Sequence, residues 1–321
     1  MKKIVERPRR WVTAAVWAPV LPVLAWALLR RSGWEPGFWW TQWVAFTPYV
    51  AGAALLVVPG ALLLRRWPAA LVAVVAAATL LHAVLPRALP DRNPAAHGQV
   101  LRVLTANLLV GSVPPRAVVD LVRRLRIDVL AVQELTPEAA VGLHAAGLPA
   151  LLPQSLTHPL PGSRGSGIYA RFPLREATPI ELGGFRQEQA TAELPGGRVA
   201  RIVSVHPCAP VRPGMRACWA DGLRALPAAD GQARILAGDF NATLDHAGLR
   251  RLLATGYRDA ADVTGEGLLT TWPYRGRRAR TVPPVTLDHV LADRGIALHG
   301  FRTFALPRSD HRAVLAQLTL P

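Results

Sequence analysis

Hydrophobic and polar positions divide the chain into two stretches of different rhythm. Over residues 11–29, 38–64 and 67–86 no Asp, Glu, Lys or Arg interrupts the apolar runs. Each run is close to or above the about 20 residues that an α-helix needs to cross a hydrocarbon core. The pattern predicts a membrane anchor of three transmembrane helices within residues 1–87. A cleaved signal peptide accounts for the first run alone and leaves the other two unexplained. The segment 88–99, ALPDRNPAAHGQ, is polar, holds two prolines and reads as a linker.

Beyond residue 100 the rhythm changes to short apolar runs separated by turn residues. VLRVLTANLL at 100–109 reads as a strand, PPRAVVDLVRRLR at 114–126 as an amphipathic helix opened by proline, and IDVLAVQE at 127–134 as a second strand. Further strands are expected at 167–172, 198–206, 233–240, 286–293 and 311–320, with a hairpin turn at PGG 195–197. Helices are expected near 213–226 and 246–254, which makes residues 100–321 an α/β domain.

Charge refines this division. Residues 1–92 carry 11 basic and 3 acidic side chains and residues 93–321 carry 26 and 18, so each part holds about half of the net +16. In the first part the charges act as topology signals. Lys2, Lys3, Arg7, Arg9 and Arg10 precede the first span and Arg65 and Arg66 separate the second from the third, which favours a cytoplasmic side for both. Three spans then place the C-terminal part outside the cytoplasm, although Arg30 and Arg31 fall in a loop on that same outer side. In the second part a basic excess suits an anionic substrate or surface. Its basic side chains are all Arg, which fits forked phosphate recognition and equally fits a bias in base composition. Cys208 and Cys218 are too few for a zinc cluster or a disulfide framework, and a single bridge or two free thiols both remain open.

The candidate chemistry lies at strand ends. Asn107, Glu134, His206, Asp239, Asn241, Asp288, Asp310 and His311 each sit beside an apolar run, and strand ends converge on one edge of a sheet. Clustered carboxylates repel and lose hydration unless they are protonated, paired or bound to a cation. Without Cys and His groupings at zinc spacing, the expected ion is magnesium or manganese. Taken singly, Asn107, Asp239 and Asn241 also read as turn residues and Glu134 as a helix start. Tyr169 and Arg171 are assigned mainly to strand packing, and His289 to the face opposite Asp288 by alternation.

TANL at 105–108, VQE at 132–134, SGIYARFPL at 166–174, VSVHPCAP at 203–210, GDFNATLD at 238–245, TLDHVLAD at 286–293 and SDHRAV at 309–314 follow one another in an order that resembles the endonuclease/exonuclease/phosphatase (DNase I-like) superfamily. The resemblance covers residues 100–321 and suggests a membrane-anchored, bacterial-type member. It implies a four-layer α/β sandwich behind the bundle of three transmembrane helices, and hydrolysis of a phosphate ester by activated water. Carried over position by position, Glu134 and Asp310 are the implied metal ligands, with Asn107 completing the shell or orienting the phosphate. Asp239 is the implied water-activating group and Asn241 a donor to a phosphate oxygen. His311, paired with Asp288, adds positive charge there, and His206 contacts the phosphate or assists the leaving oxygen.

The implied cofactor is Mg2+ or Mn2+, and the implied partners are an anionic phosphate ester and the lipid bilayer; no feature points to a protein partner. Nucleic acid leads as substrate class, with a phospholipid or sphingomyelin-type diester as alternative and a non-catalytic membrane-bound sensor as the second. The loop TTWPYRGRRAR at 270–280 departs from the other motifs: Trp272 and Tyr274 interleaved with Arg275, Arg277, Arg278 and Arg280 suit a substrate-facing patch or a solvated loop.

Overall fold

The computed structural model describes residues 6–96, 98 and 100–321, with side chains from Arg10 onward. Lys2 and Lys3, counted above for topology, lie outside the described residues. The chain divides into two compact units, Met1–Pro86 with Asp245–Ala247, and Arg87–Leu244 with Gly248–Pro321.

The first unit contains α1 (Glu6–Ser32), α2 (Gly37–Trp43), α3 (Thr47–Leu63) and α4 (Trp67–Val84). A 3-10 turn at Val44–Phe46 joins α2 to α3, so the second apolar run forms one long segment. Among the described residues three segments, Arg10–Ser32, Gly37–Leu63 and Trp67–Ala88, are long and apolar enough to cross a membrane. Their packing uses small residues: Ala61, Ala69, Ala70 and Ala73 meet Val16 and Val20, and Ala27, Ala51 and Ala76 surround Leu80. Large side chains point the other way, with Leu56, Leu63 and Leu71 exposed by 79%, 82% and 66%. In hydrocarbon that arrangement carries no penalty, and the alanines let backbones approach closely.

The second unit realises the expected strand–helix–strand opening as β1 (Leu101–Asn107), α5 (Pro115–Leu125) and β2 (Val129–Gln133). α6 (Pro137–Ala145), β3 (Gln154–His158), β4 (Ser166–Ala170), β5 (Leu174–Leu182), β6 (Phe185–Leu194), β7 (Arg198–Val205), α7 (Arg216–Arg224) and β8 (Arg234–Asp239) follow. α8 (Ala247–Ala254), β9 (Tyr257–Asp259), α9 (Ala260–Val263), β10 (Asp288–Asp293), β11 (Ala297–Ala305) and β12 (Arg312–Thr319) complete it. Two six-stranded sheets run β11-β12-β1-β2-β4-β3 and β5-β6-β7-β8-β10-β9 among the described residues. β1–β2 and β7–β8 are parallel and the remaining pairs antiparallel.

Strict alternation along the strands produces four layers. Val103, Val129, Ala131 and Ile168 face Ile202, Ile235, Ala237 and Val290 between the sheets. Leu104, Leu130 and Val132 point outward onto Val118 and Val122 of α5 and Leu143 of α6. On the other side Val203, Leu236 and Leu291 meet Trp219 and Leu223 of α7 and Leu249 and Leu252 of α8. Each fully buried aliphatic side chain of this kind contributes about 1.5–3 kcal/mol relative to exposure. The expected hairpin at 195–197 joins β6 to β7, with Gly196 at φ 79° and Gly197 at φ 73°. The helix expected at 213–226 begins as a 3-10 turn, Pro213–Met215, before α7.

The segment read as a linker is tied to the second unit in part. Asp91 N donates to Val263 O at 2.8 Å. Asn93 Nδ2 donates to Leu298 O at 2.6 Å and Leu298 N returns a bond to Asn93 Oδ1 at 2.9 Å. Cys208 and Cys218, left open by sequence, form a disulfide with Cα atoms 5.8 Å apart. Gly183 turns the β5–β6 hairpin against it at φ 58°, where a Cβ would lie 2.3 Å from Cys218 Sγ.

Candidate active site

Register brings the strand ends together. β1 and β2 pair Asn107 with Gln133, so Asn107 and Glu134 emerge at one edge of the first sheet. β12 runs antiparallel to β1, with Thr105 opposite Val314, which places Asp310 and His311 at that edge too. In the second sheet Asp239 lies directly opposite Asp288, and His206 follows the end of β7 beside β8. Gly238 permits this close approach, because a Cβ there would sit 2.0 Å from Val205 O.

The side chains form a connected polar cluster across the two sheets. Asn107 Nδ2 donates to Glu134 Oε1 and to Asp239 Oδ2, each at 3.1 Å, while its Oδ1 accepts from Leu109 N at 2.9 Å. Val110 N donates to Glu134 Oε2 at 2.6 Å. Asn241 N donates to Asp239 Oδ1 at 2.8 Å, and Asn241 Nδ2 donates to Pro207 O at 3.2 Å. His311 Nδ1 donates to Asp288 Oδ2 at 2.9 Å, and its Nε2 lies 3.6 Å from Asp239 Oδ2. His206 Nε2 lies 3.8 Å from both Glu134 Oε1 and Asp239 Oδ2. Glu134 and Asn241 take left-handed backbone conformations, φ 57° and 49°, which turn both chains sharply at the strand ends.

Electrostatics assigns different protonation to these groups. Burial pushes Asp239 above the ordinary carboxylate range and Asp288 adds to it, against the opposing pull of His311 and His206. For His311 burial acts downward, but Asp288, Asp239 and Asp310 outweigh it and push the imidazole up to about 10. His311 is therefore an imidazolium at neutral pH, fixed by Asp288.

A hard cation fits the donor set. Asp239, Asp288 and His311 offer atoms within 4.8 Å of one another. In that trio, however, the His311 proton already supplies positive charge and Nδ1 is committed to Asp288. Glu134 and Asp310 are all-oxygen donors nearby, and Asp310 Oδ1 is buried with no hydrogen-bond partner among the described residues, as are Asp288 Oδ1 and His206 Nδ1. Buried polar atoms without a partner are rare in folded proteins, and two carboxylate oxygens among these three suit a hard cation. Asn107 has both amide hydrogens on carboxylates and one Oδ1 lone pair on Leu109 N, so it organises the cluster, and only the second Oδ1 lone pair is left to face a cation.

Several supporting residues escaped the sequence reading. Gln187 Oε1 accepts from His206 N at 3.1 Å, and the Phe185 ring meets His206 edge-on at 5.6 Å. Ser309 Oγ donates to Asn107 O and accepts from His311 N, both at 3.1 Å. Beneath the edge, Thr105 Oγ1 donates to Gln133 Oε1 and Gln133 Nε2 donates to Ser204 Oγ, each at 3.1 Å, joining the two sheets. A fully buried Gln beside Glu134 in VQE is the signal that would have found this network. His289 faces away from the cluster as expected: Asp259 Oδ2 lies 2.8 Å from Nδ1 and Ala242 O 2.9 Å from Nε2. Tyr169 packs under the helices and Arg171 lies 3.5 Å from Asp128, so both serve the scaffold. The arginine-rich loop begins at the site itself, since Trp272 Nε1 donates to Asp310 Oδ2 at 3.0 Å.

Residues 104–311 match the model of the Endonuclease/Exonuclease/phosphatase family. No curated protein matches the chain. Among solved structures, an endonuclease/exonuclease/phosphatase from Beutenbergia cavernae is 18% identical with TM-score 0.55, over 70% of this chain and 72% of that one. TDP2 of D. rerio, complexed with single strand DNA product, is 16% identical with TM-score 0.55, over 69% and 100%. Truncated TDP2 of Caenorhabditis elegans is 15% identical with TM-score 0.54, over 70% and 99%. At these identities the likeness is one of fold.

Proposed function

Because the chain belongs to the endonuclease/exonuclease/phosphatase family, we propose that it is a membrane-tethered, magnesium- or manganese-dependent phosphoesterase that hydrolyses a phosphodiester or phosphomonoester by activated-water attack. The observation that carries this reading is the buried cluster between the edges of the two sheets, where Asp239 accepts from Asn107 and Asn241 while an imidazolium stands 3.6 Å from it. Glu134 and Asp310, with Asn107, would hold the cation, whose charge neutralises an anionic phosphate oxygen. Asp239 takes a proton from water as the new P–O bond forms, and its raised proton affinity suits that task. Asn241 and the His311 imidazolium donate to the equatorial oxygens as their charge grows. His206 would contact the phosphate or assist departure of the leaving oxygen as the old P–O bond breaks.

Nucleic acid is the favoured substrate class, supported by the basic second part of the chain and by a relative captured with single strand DNA product. Phospholipid is the second reading, favoured by the three apolar helices. We place the second unit outside the cytoplasm on the basic residues before the first span and between the second and third. The test is an assay of the full chain in detergent and in vesicles, with Mg2+, Mn2+ or chelator, against single-stranded DNA, plasmid DNA, sphingomyelin and phosphoinositides. DNA cleavage that falls steeply with salt supports the leading reading. Cleavage of lipid alone selects the second, and metal-supported binding without turnover of any substrate replaces both with a sensor.

A further inference from the structure

We propose that Trp272 is the positioning residue that aims Asp310 at the divalent cation, acting from a strap, Thr271–Tyr274, that sets three site side chains at once. The inference deepens the phosphoesterase reading and rests on it. The strap was legible in sequence only as the start of an aromatic and arginine-rich loop.

Both ends of the strap are pinned by backbone. Thr271 N and Trp272 N each donate to Val285 O at 2.9 Å, Arg312 N donates to Thr271 O at 3.0 Å, and Tyr274 N donates to Asp310 O at 2.8 Å. From this frame three side-chain contacts reach the site. Thr271 Oγ1 accepts from Leu287 N at 3.0 Å and from Asp288 N at 3.1 Å, which fixes the start of β10 and with it the partner of His311. The Trp272 ring lies 6.3 Å from the His311 ring. Its indole N–H donates to Asp310 Oδ2 at 3.0 Å.

That last bond has a specific chemical consequence. A carboxylate held at one oxygen can no longer rotate freely, so the other oxygen acquires a direction. Here the other oxygen, Asp310 Oδ1, is buried and has no hydrogen-bond partner among the described residues. The donor is also neutral. An arginine in the same place would neutralise the carboxylate and compete with a metal, but Arg278 approaches Oδ2 only at 4.0 Å, while its guanidinium lies over the Trp272 ring at 5.8 Å. Trp272 thus orients Asp310 without itself neutralising the carboxylate, as groups that support metal ligands do.

Calorimetric titration of Mn2+ into the full chain in detergent tests the assignment, comparing the parent with Trp272→Phe, Trp272→His and Asp310→Asn. Removing the N–H in Trp272→Phe is expected to weaken Mn2+ binding by about 10–100-fold with an unchanged thermal midpoint. The Mn2+ concentration for half-maximal turnover should rise by the same factor, and kcat at saturating Mn2+ should return to within about twofold of the parent. Trp272→His, which keeps an N–H donor, should recover part of the affinity, and Trp272→Phe should cost nothing more in the Asp310→Asn background. Parent-like Mn2+ affinity in Trp272→Phe overturns the inference and leaves the phosphoesterase reading intact. So does a loss that tracks a falling thermal midpoint and is not relieved by histidine, which reduces Trp272 to packing. A parent chain that binds no Mn2+ overturns the phosphoesterase reading itself.

Discussion

The two units of this chain invert each other's packing. In the first, alanines occupy the interior and Leu56, Leu63 and Leu71 face out. In the second, Leu104, Leu130, Ile168 and Ile235 are fully buried, and Asn107, Asp239, Asp288 and His311 are buried with them at a single edge. The difference teaches where each unit keeps its free energy. A helix whose large side chains face outward gains little from excluding water, so the first unit relies on close backbone approach. The second gains from apolar burial and spends part of that gain on charged groups held out of water.

The sharpest break in the comparison lies at the buried charges. Asp239→Asn is expected to lower turnover by about a thousandfold or more. Because burial disfavours ionised Asp239 in the fold, the same change should leave the thermal midpoint of the metal-free protein unchanged or raised; a drop in the midpoint would mean that the carboxylate stabilises the scaffold. Next in size, Leu130→Ala should destabilise the second unit by about 2–5 kcal/mol, read from denaturant unfolding in detergent. Leu71→Ala should change the first by less than about 0.5 kcal/mol, and equal losses would erase the inversion.

The most gradual effect is a pH slope. His311 titrates near 10 in the fold and at its ordinary value when unfolded, so its contribution is complete below about pH 6.5. It declines as pH rises through about 10, at no more than about 1.4 kcal/mol per pH unit. Unfolding of the chelated protein across that window should show this decline, and Asp288→Asn should flatten it.

Much of this was legible from the residues alone, for identifiable reasons. The central strands β1, β2, β8 and β10 read correctly because both of their faces are buried and their apolar runs are continuous. β3 and β5 did not, because they are half-exposed sheet edges with residues such as Arg175, Glu176 and Thr178. In β6 the buried positions include Gln187 and Glu188, so alternation of polarity fails there. β11 is interrupted by a register shift between Leu298 and Gly300. The acids and histidines of the site were visible by their position after apolar runs. Ser309 and Gln187 were not, and Trp272 was visible only as part of an aromatic and arginine-rich loop, since their partners lie far away in sequence.

The bridge between Cys208 and Cys218 carries a consequence for where the molecule works. Glutathione-buffered cytosol keeps such thiols reduced, whereas bridges persist where oxidants reach the folded chain. A covalent tie two residues past His206 therefore offers a test of the proposed sidedness that owes nothing to the arginines flanking the helices. On the extracytoplasmic placement proposed above, the pair is expected to resist thiol labelling in intact cells until a reductant is added.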